Sequence, residues 1–294
     1  MRDFYGYGRD LPQVRWPGGA RVAVSFVLNF EEGSEFAIGD GDDRNESVYE
    51  VIDGLPVADG CIQSHFEYGT RVGYWRIMEL MEKYKARITV SACGRAAERS
   101  PWLVHDARER GHEIAAHGYR WESHAGLEIG EERQRIAAAR QAIEAACGIA
   151  PVGWHTRSAA SVNTRRLLVE AGFLYDSDAY NDDTPYEINI DGHRHLVLPY
   201  AFDTNDMQFQ HTQRFSTGWE FATYVSDAFD WLWREGKTRP RMLSIGLHLR
   251  MIGRPGRIGA LQTILSHMRR KGDVWIAPRA AIAAHWRAEM DKLG

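Results

Sequence analysis

Apolar and polar positions follow two periods along the chain, one of strands and one of helices, and the two take turns. Arg21 to Asn29 (RVAVSFVLN) is a β-branched, apolar run without helical spacing, as expected of a strand buried on both faces. From Thr70 the period becomes helical: Val72, Trp75, Ile77, Met78, Leu80 and Met81 mark one face up to Lys85. Arg87 to Ala92 returns to strand. Ser100 is then placed to cap a helix with Pro101 at its first position. His112 to Ala116 follows the Gly111 stop as a short strand, and Glu131 to Cys147 is a long helix ended by Gly148. Further strands are predicted at Val152–His155, Phe173–Asp176, His195–Pro199, Met242–His248 and Val274–Ala277. Helices are predicted at Asn163–Ala171, Trp219–Arg234, Arg257–Lys271 and from Pro278 to about residue 290.

Two stretches break the rhythm. Residues 1–20 form an irregular arm rich in aromatic residues, Pro and Gly. Residues 31–60 are acidic and Gly-rich with no period, a loop of the length that usually carries function. No domain-scale linker and no repeat interrupts the rest, so residues 1–294 are expected to form one domain. About seven strand–helix alternations predict a parallel α/β fold, a (β/α) barrel, closed or incomplete, with a doubly wound sheet as the alternative. No G-x-G-x-x-G opens a helix after a strand, which weakens a dinucleotide-binding reading. In either fold the site lies at the carboxyl ends of the strands.

Those ends carry unusual residues. The first strand runs into Glu31-Glu32, where one carboxylate can act as general base and the other can bind a cation or fix a water; a solvated turn is the plainer reading. The third ends at His117, placed as a ligand or acid/base, or else as a core histidine bonded to backbone. The fourth ends in His155 and Arg157, the arginine suited to anchoring a carbonyl or carboxylate. The fifth gives Asp176, Asp178, Asp182 and Asp183, which orient other groups or cap turns. The seventh ends at His248, fit for a general acid or a carbonyl polariser. Together these ends favour a hydrolytic site over a binding module.

Composition narrows the class. The chain has 294 residues, 44% hydrophobic and 26% charged, which is globular. A formal net charge of −4 argues against a nucleic-acid partner. Three cysteines without a C-x-x-C argue against a disulfide scaffold and a zinc ribbon. The absence of an apolar leader or a membrane-length apolar stretch makes the cytoplasm the expected setting, with no membrane partner. Of 12 histidines, His117 and His248 are the catalytic candidates, and His65, His124 and His155 are possible site members. His112 reads as structural; His105, His193, His195, His211, His267 and His285 carry no functional argument.

The strand-end pieces, in this order, resemble the NodB-type polysaccharide deacetylase superfamily. Asn29-Phe30-Glu31-Glu32 resembles its Thr-Phe-Asp-Asp motif, which holds a base and then a metal-binding Asp. Gly111-His112-Glu113-Ile114 leads to His117, but Trp121 stands where a second metal-binding histidine belongs. Gly246-Leu247-His248 resembles the motif whose histidine assists the leaving group. A closer resemblance spans nearly the whole chain. Gly6-Tyr7-Gly8-Arg9, Trp16 to Arg21, Phe26 to Gly33, Glu67-Tyr68-Gly69, His117 to Trp121, Tyr175 to Asp178, Asp203 to Met207, Ser244 to His248 and Ile252 to Pro255 resemble the PuuE-type allantoinases and cyclic imide hydrolases.

That resemblance implies a distorted (β/α) barrel and an amidohydrolase that opens a small cyclic amide, imide or ureide by hydrolysing a C–N bond. It implies catalytic roles for Glu31, Glu32, His117 and His248, and substrate contacts from Trp121, His155, Arg157, Tyr68 and Asp178. Either no cofactor or one divalent metal, zinc first, is expected, with Glu32 and His117 as ligands; most of the superfamily uses a metal, whereas this branch's allantoinases work without one. The missing second histidine shifts the balance slightly towards a weak or absent metal. A homo-oligomer, dimer or tetramer, is implied too, with the aromatic arm (Phe4, Tyr5, Tyr7, Trp16) packing on another subunit or on its own barrel. Trp154 to Ser161 departs from the Trp-Tyr-Thr-Gly-Arg of the allantoinases, and the loop from Glu35 to Asp59 departs as well, which leaves the identity of the ring open. The competing function is an N-deacetylase acting on a polysaccharide or oligosaccharide.

Overall fold

The strand with the most uniformly apolar run is the hub of the molecule. In the structure, a computed structural model that describes residues 2–47, 55–210 and 215–293, β1 (Val22–Phe30) is buried at all nine positions. It pairs in parallel with β8 (Arg241–His248) from Val22 to Asn29. It also pairs with β2 (Thr89–Ala92) through residues 27–30 and with β9 (Val274–Ile276) through residues 22–24. The sheet continues outward through β3 (Glu113–Ala116), β4 (Gly153–Trp154), β5 (Tyr175–Asp176), β7 (His193–Val197) and β6 (Tyr186–Ile190). Every pair is parallel except β6 with β7. The result is a curled, half-closed parallel sheet, a distorted (β/α) barrel rather than a doubly wound open sheet.

The helices are α1 (Gly60–Tyr68), α2 (Tyr74–Lys83), α3 (Gly94–Arg99), α4 (Pro101–Glu109), α5 (Ile129–Cys147), α6 (Thr164–Glu170), α7 (Gly218–Glu235), α8 (Leu249–Ile252), α9 (Pro255–Lys271) and α10 (Arg279–Leu293). Most of their apolar faces cover the sheet around Phe26, Leu28, Ile88, Val90, Ile245 and Leu247, while α10 packs with Trp16, Tyr175 and Leu196 in a second, smaller cluster. No described helix is long and apolar enough to cross a membrane.

Four details differ from the sequence expectation. Helical structure begins before Thr70: Asp59 accepts from the Cys61 and Ile62 N–H groups and starts α1, and a π-helical turn, Gly69–Gly73, links α1 to α2. Gly94–Arg99 adds a short helix before Pro101. Ser100 occupies the cap position of α4 but makes no side-chain cap bond. The strand expected at His195–Pro199 is the second arm of a β6–β7 hairpin, whose Asp191-Gly192 tip has φ of 49° and 87°. Both values are positive, the requirement of a tight two-residue turn that matches strand twist. Residues 48–54 of the long loop, and His211, lie outside the described residues.

Candidate active site

The parallel register sends β1, β3, β4 and β8 to one end of the sheet, and each delivers a side chain to the same spot. Glu31 follows β1, His117 follows β3, His155 follows β4, and His248 is the last residue of β8. All four are at least nine-tenths buried, with Glu31 only 1% and His117 only 2% exposed. The Oε1 of Glu31 lies 3.3 Å from His117 Nε2 and 3.3 Å from His248 Nε2. A single carboxylate oxygen thus faces two imidazoles.

The far side of each ring fixes its orientation. His117 Nδ1 lies 2.8 Å from the His155 carbonyl oxygen, which can only accept, so Nδ1 is a donor. His248 Nδ1 lies 2.6 Å from Asp206 Oδ1 and donates to it. The other Asp206 oxygen accepts the backbone N–H groups of His248 (2.8 Å) and Ile252 (3.1 Å). Asp206 therefore ties the end of β8 to the start of α8. Burial alone would lower the affinity of His248 for its proton, but Glu31 and then Asp206 outweigh burial and push its pKa up to about 9. At neutral pH its Nε2 carries a proton aimed at Glu31.

Two carboxylates this deep need a counter-charge, and Arg250 provides it. Its guanidinium is fully buried, with Nη2 2.7 Å from Glu31 Oε2 and Nη1 3.4 Å from Glu32 Oε1. It lies 4.3 Å from the Phe66 ring centre and 5.1 Å from that of Trp121, in the apolar setting that strengthens cation–π contact. Burial pushes the Glu31 carboxyl up, but Arg250, His248 and His117 overcome it and hold Glu31 well below the carboxylate range. Glu32 has fewer partners: burial wins over Arg250, Glu31 adds repulsion, and its pKa is pushed up to about 7. Its Oε2 accepts the Glu31 N–H at 3.1 Å, while Oε1 faces Gly69. A Cβ at Gly69 would overlap that carboxylate, so glycine in the π-turn is what lets Glu32 fit.

Trp121, 4% exposed, is held by other residues. The Arg157 guanidinium lies 3.5 Å from its ring centre and donates to its carbonyl oxygen at 2.7 Å. The same guanidinium is bidentate on Glu46, at 2.7 and 2.9 Å. Arg157 therefore spends its charge on Glu46 and its flat face on Trp121. Asp178 is similarly engaged: its two oxygens accept the Thr156 N–H (2.6 Å) and hydroxyl (2.7 Å), fixing the chain next to His155. Burial and then Asp176 push the Asp178 pKa up to about 7. Tyr68, at the end of α1, accepts from Arg76 at 2.5 Å and lies under the Arg254 guanidinium, 3.6 Å from its ring centre. His65 bonds Arg254 at 2.9 Å, and His124 is buried against Glu132.

The structure thus brings together Glu31, Glu32, His117, His155, His248 and, one layer out, Trp121. Arg157, Asp178 and Tyr68 stand around them with their polar atoms engaged by protein groups. Arg250 and Asp206 belong to the site as well, although the strand-end pattern gives neither a role. Arg250 lies two residues beyond His248, inside α8, and Asp206 lies in a 3-10 turn, Asp206–Gln210, whose role depends on a long-range meeting with β8.

A divalent metal finds no fitting donor set here. Among the described residues no group of three His, Cys, Asp or Glu side chains is placed to hold one. Trp121 has no ligating atom, and the two expected ligands are drawn to different partners, Glu32 to Arg250 and His117 to Glu31.

The polysaccharide deacetylase family profile matches residues 55–175. A Schizosaccharomyces pombe protein assigned to the polysaccharide deacetylases is 38% identical over 98% of this chain and 97% of its own length. Among solved structures, a Puue allantoinase superposes with a TM-score of 0.93 at 42% identity, covering 98% of this chain and 97% of its own. A Pseudomonas aeruginosa PAO1 protein assigned to the polysaccharide deacetylases superposes with a TM-score of 0.93 at 43% identity, covering 98% of each chain.

Proposed function

From the premise that the chain belongs to the polysaccharide deacetylase family, hydrolases of carbon–nitrogen bonds other than peptide bonds, we propose that it opens a small cyclic amide, imide or ureide. The observation that carries this reading is burial. Glu31, His117 and His248 are at most 4% exposed, which suits a small ring that can be enclosed and not a polymer chain lying in an open groove. Similarity to the allantoinase structure across the chain supports the same reading. N-deacetylation of a saccharide is the reading that two relatives' assignments favour.

In the proposed reaction a water is bound between Glu31 and the ring carbonyl. Glu31 takes a proton as the water oxygen bonds to carbon, and the carbonyl π electrons move to oxygen. The tetrahedral intermediate then collapses, the C–N bond breaks, and His248 gives its Nε2 proton to the departing nitrogen. One water is consumed, and the products are a carboxylic acid and an amine or amide on one opened chain. A carboxylate held well below its ordinary range is a weak base. Proximity offsets this, because the proton on Glu31 is one 3.3 Å contact from His248 Nε2, which needs it back for the next turnover. Arg250 keeps Glu31 ionised and contributes fixed positive charge beside the developing oxyanion. Glu32 completes the Arg250 pairing, and His117 orients Glu31.

The direct test is a hydrolysis screen over allantoin, succinimide, hydantoin, dihydrouracil and an N-acetylated chito-oligosaccharide. Activity on one of the rings is expected; activity on the oligosaccharide alone overturns the proposal. Elemental analysis and rates before and after chelation test the role of Arg250. Unchanged rates after chelation are expected, and a stoichiometric metal with chelator-sensitive activity contradicts that role.

A further inference from the structure

His155 is built into the site in a way that packing alone does not require. Its ring lies face to face with His117, centroids 4.7 Å apart and planes 8° apart, and 4.1 Å from the Tyr200 ring on a 40° tilt. Tyr200 is in turn fixed by Asn29, which donates to its hydroxyl at 2.8 Å. His155 is 8% exposed, and neither of its ring nitrogens has a hydrogen-bond partner among the described residues. A buried polar group without a partner is costly, and an apolar ring would fill the same slot without that cost. Two buried ring nitrogens without a protein partner thus stand beside the reacting cluster.

We propose that His155 is a specificity-determining residue that hydrogen-bonds an uncharged amide edge of the substrate ring. This rests on the cyclic-amide reading and narrows it. Burial, then the neighbouring His117 and Arg279, hold the His155 imidazole well below its ordinary range, so it is neutral at physiological pH. A neutral imidazole offers one N–H donor and one lone-pair acceptor. Those match a ring carbonyl or a ring N–H. They do not match a carboxylate, which can only accept and brings a buried negative charge that a neutral imidazole does not offset. The preferred ring thus carries amide groups and no ionised substituent at the edge facing His155.

The test compares wild type with H155F and H155Q on succinimide, hydantoin and a hydantoin bearing an acetate substituent. H155F keeps the aromatic stack and removes both nitrogens; H155Q restores a donor and an acceptor. The expected result is a KM for the uncharged rings raised about tenfold in H155F, the size of one lost hydrogen bond, with kcat changed less. H155Q is expected to recover most of the loss. Wild type is expected to disfavour the carboxylate-bearing ring by a larger factor. An unchanged KM in H155F, or equal wild-type turnover of charged and uncharged rings, overturns the inference while leaving ring opening intact. The wild-type comparison decides even if H155F does not fold. A wild type inert on every ring overturns the functional reading, and this inference falls with it.

Discussion

Replacing Asp206 with Asn changes one charge and leaves the shape of the site, which isolates the proposed acid. Asp206 holds His248 by a 2.6 Å hydrogen bond from Nδ1, the contact that, after Glu31, does most to raise the His248 pKa to about 9. A hydrogen bond to a charged group contributes about 1.5–3 kcal/mol. At about 1.4 kcal/mol for each pKa unit, D206N should lower the His248 pKa by about 1–2 units. The assay is the pH profile of kcat/KM for the best ring substrate, which reports groups of the free enzyme. Wild type should lose activity on the alkaline side near pH 9, where His248 gives up its proton. In D206N that limb should move towards neutrality. Stability should fall as well. Asp206 Oδ2 accepts two backbone N–H groups, from His248 and Ile252, and an Asn amide cannot accept at that position while its oxygen still faces Nδ1. Each stranded N–H costs about 1–3 kcal/mol, so the melting temperature is measured in parallel. An alkaline limb in the same place in both proteins would refute the assignment of His248 as the acid, whatever the effect on stability.

Other outcomes follow from the same cluster. R250Q leaves two buried carboxylates without their cation, so it should cost about 3–5 kcal/mol in denaturant unfolding and at least a hundredfold in kcat, with R250K recovering part of the stability; near-normal values would show that Arg250 is dispensable. G69A places a methyl group on the Glu32 carboxylate and should reduce kcat without touching the reacting face of Glu31, read by steady-state kinetics with circular dichroism to check the fold. The folded-state pKa of Glu32 is raised from 4.5 to about 7 and that of His248 from 6.5 to about 9, so both favour folding when protonated. Their stabilisation is complete below the unfolded values and is lost as pH rises through 4.5–7 for Glu32 and 6.5–9 for His248. Glu31, shifted the other way, loses its contribution as pH falls below about 4.5, so thermal unfolding should show greatest stability from this cluster in the mildly acidic range.

Much of this architecture is legible from local pattern. β1 is a continuous apolar run because parallel strands are covered on both faces, and its end fixes Glu31 and Glu32 by simple counting. His117 and His248 are found the same way. The two-residue strands β4 and β5 carry little periodic signal, yet β4 ends one residue before His155, where the sequence expects a strand to end. The β6–β7 hairpin was missed although Asp191-Gly192 is a turn signal, since β6 is only partly buried and shows no clean alternation. The short helices before Pro101 and around Gly69 depend on tertiary contacts: the π-turn exists where Glu32 and the Leu249 carbonyl press against glycines 69 and 73. The role of Arg250 is hidden for a related reason. A lone arginine inside a four-residue helix carries no sequence signal, and its role appears only when β1 and β8 are laid side by side. The resemblance implies substrate contacts from Arg157 and Asp178; in the fold their polar atoms meet Glu46 and Thr156, contacts that no local pattern reveals.

The central claim is that Glu31 and His248 add one water across a ring C–N bond. The measurement that tests it most directly is mass spectrometry of the product formed from a cyclic amide by the wild type, with E31Q as the control. The account predicts a single product with the mass of the substrate plus one water, formed by the wild type and reduced by orders of magnitude in E31Q. Rings left intact while acetate is released from an N-acetylated saccharide would contradict it.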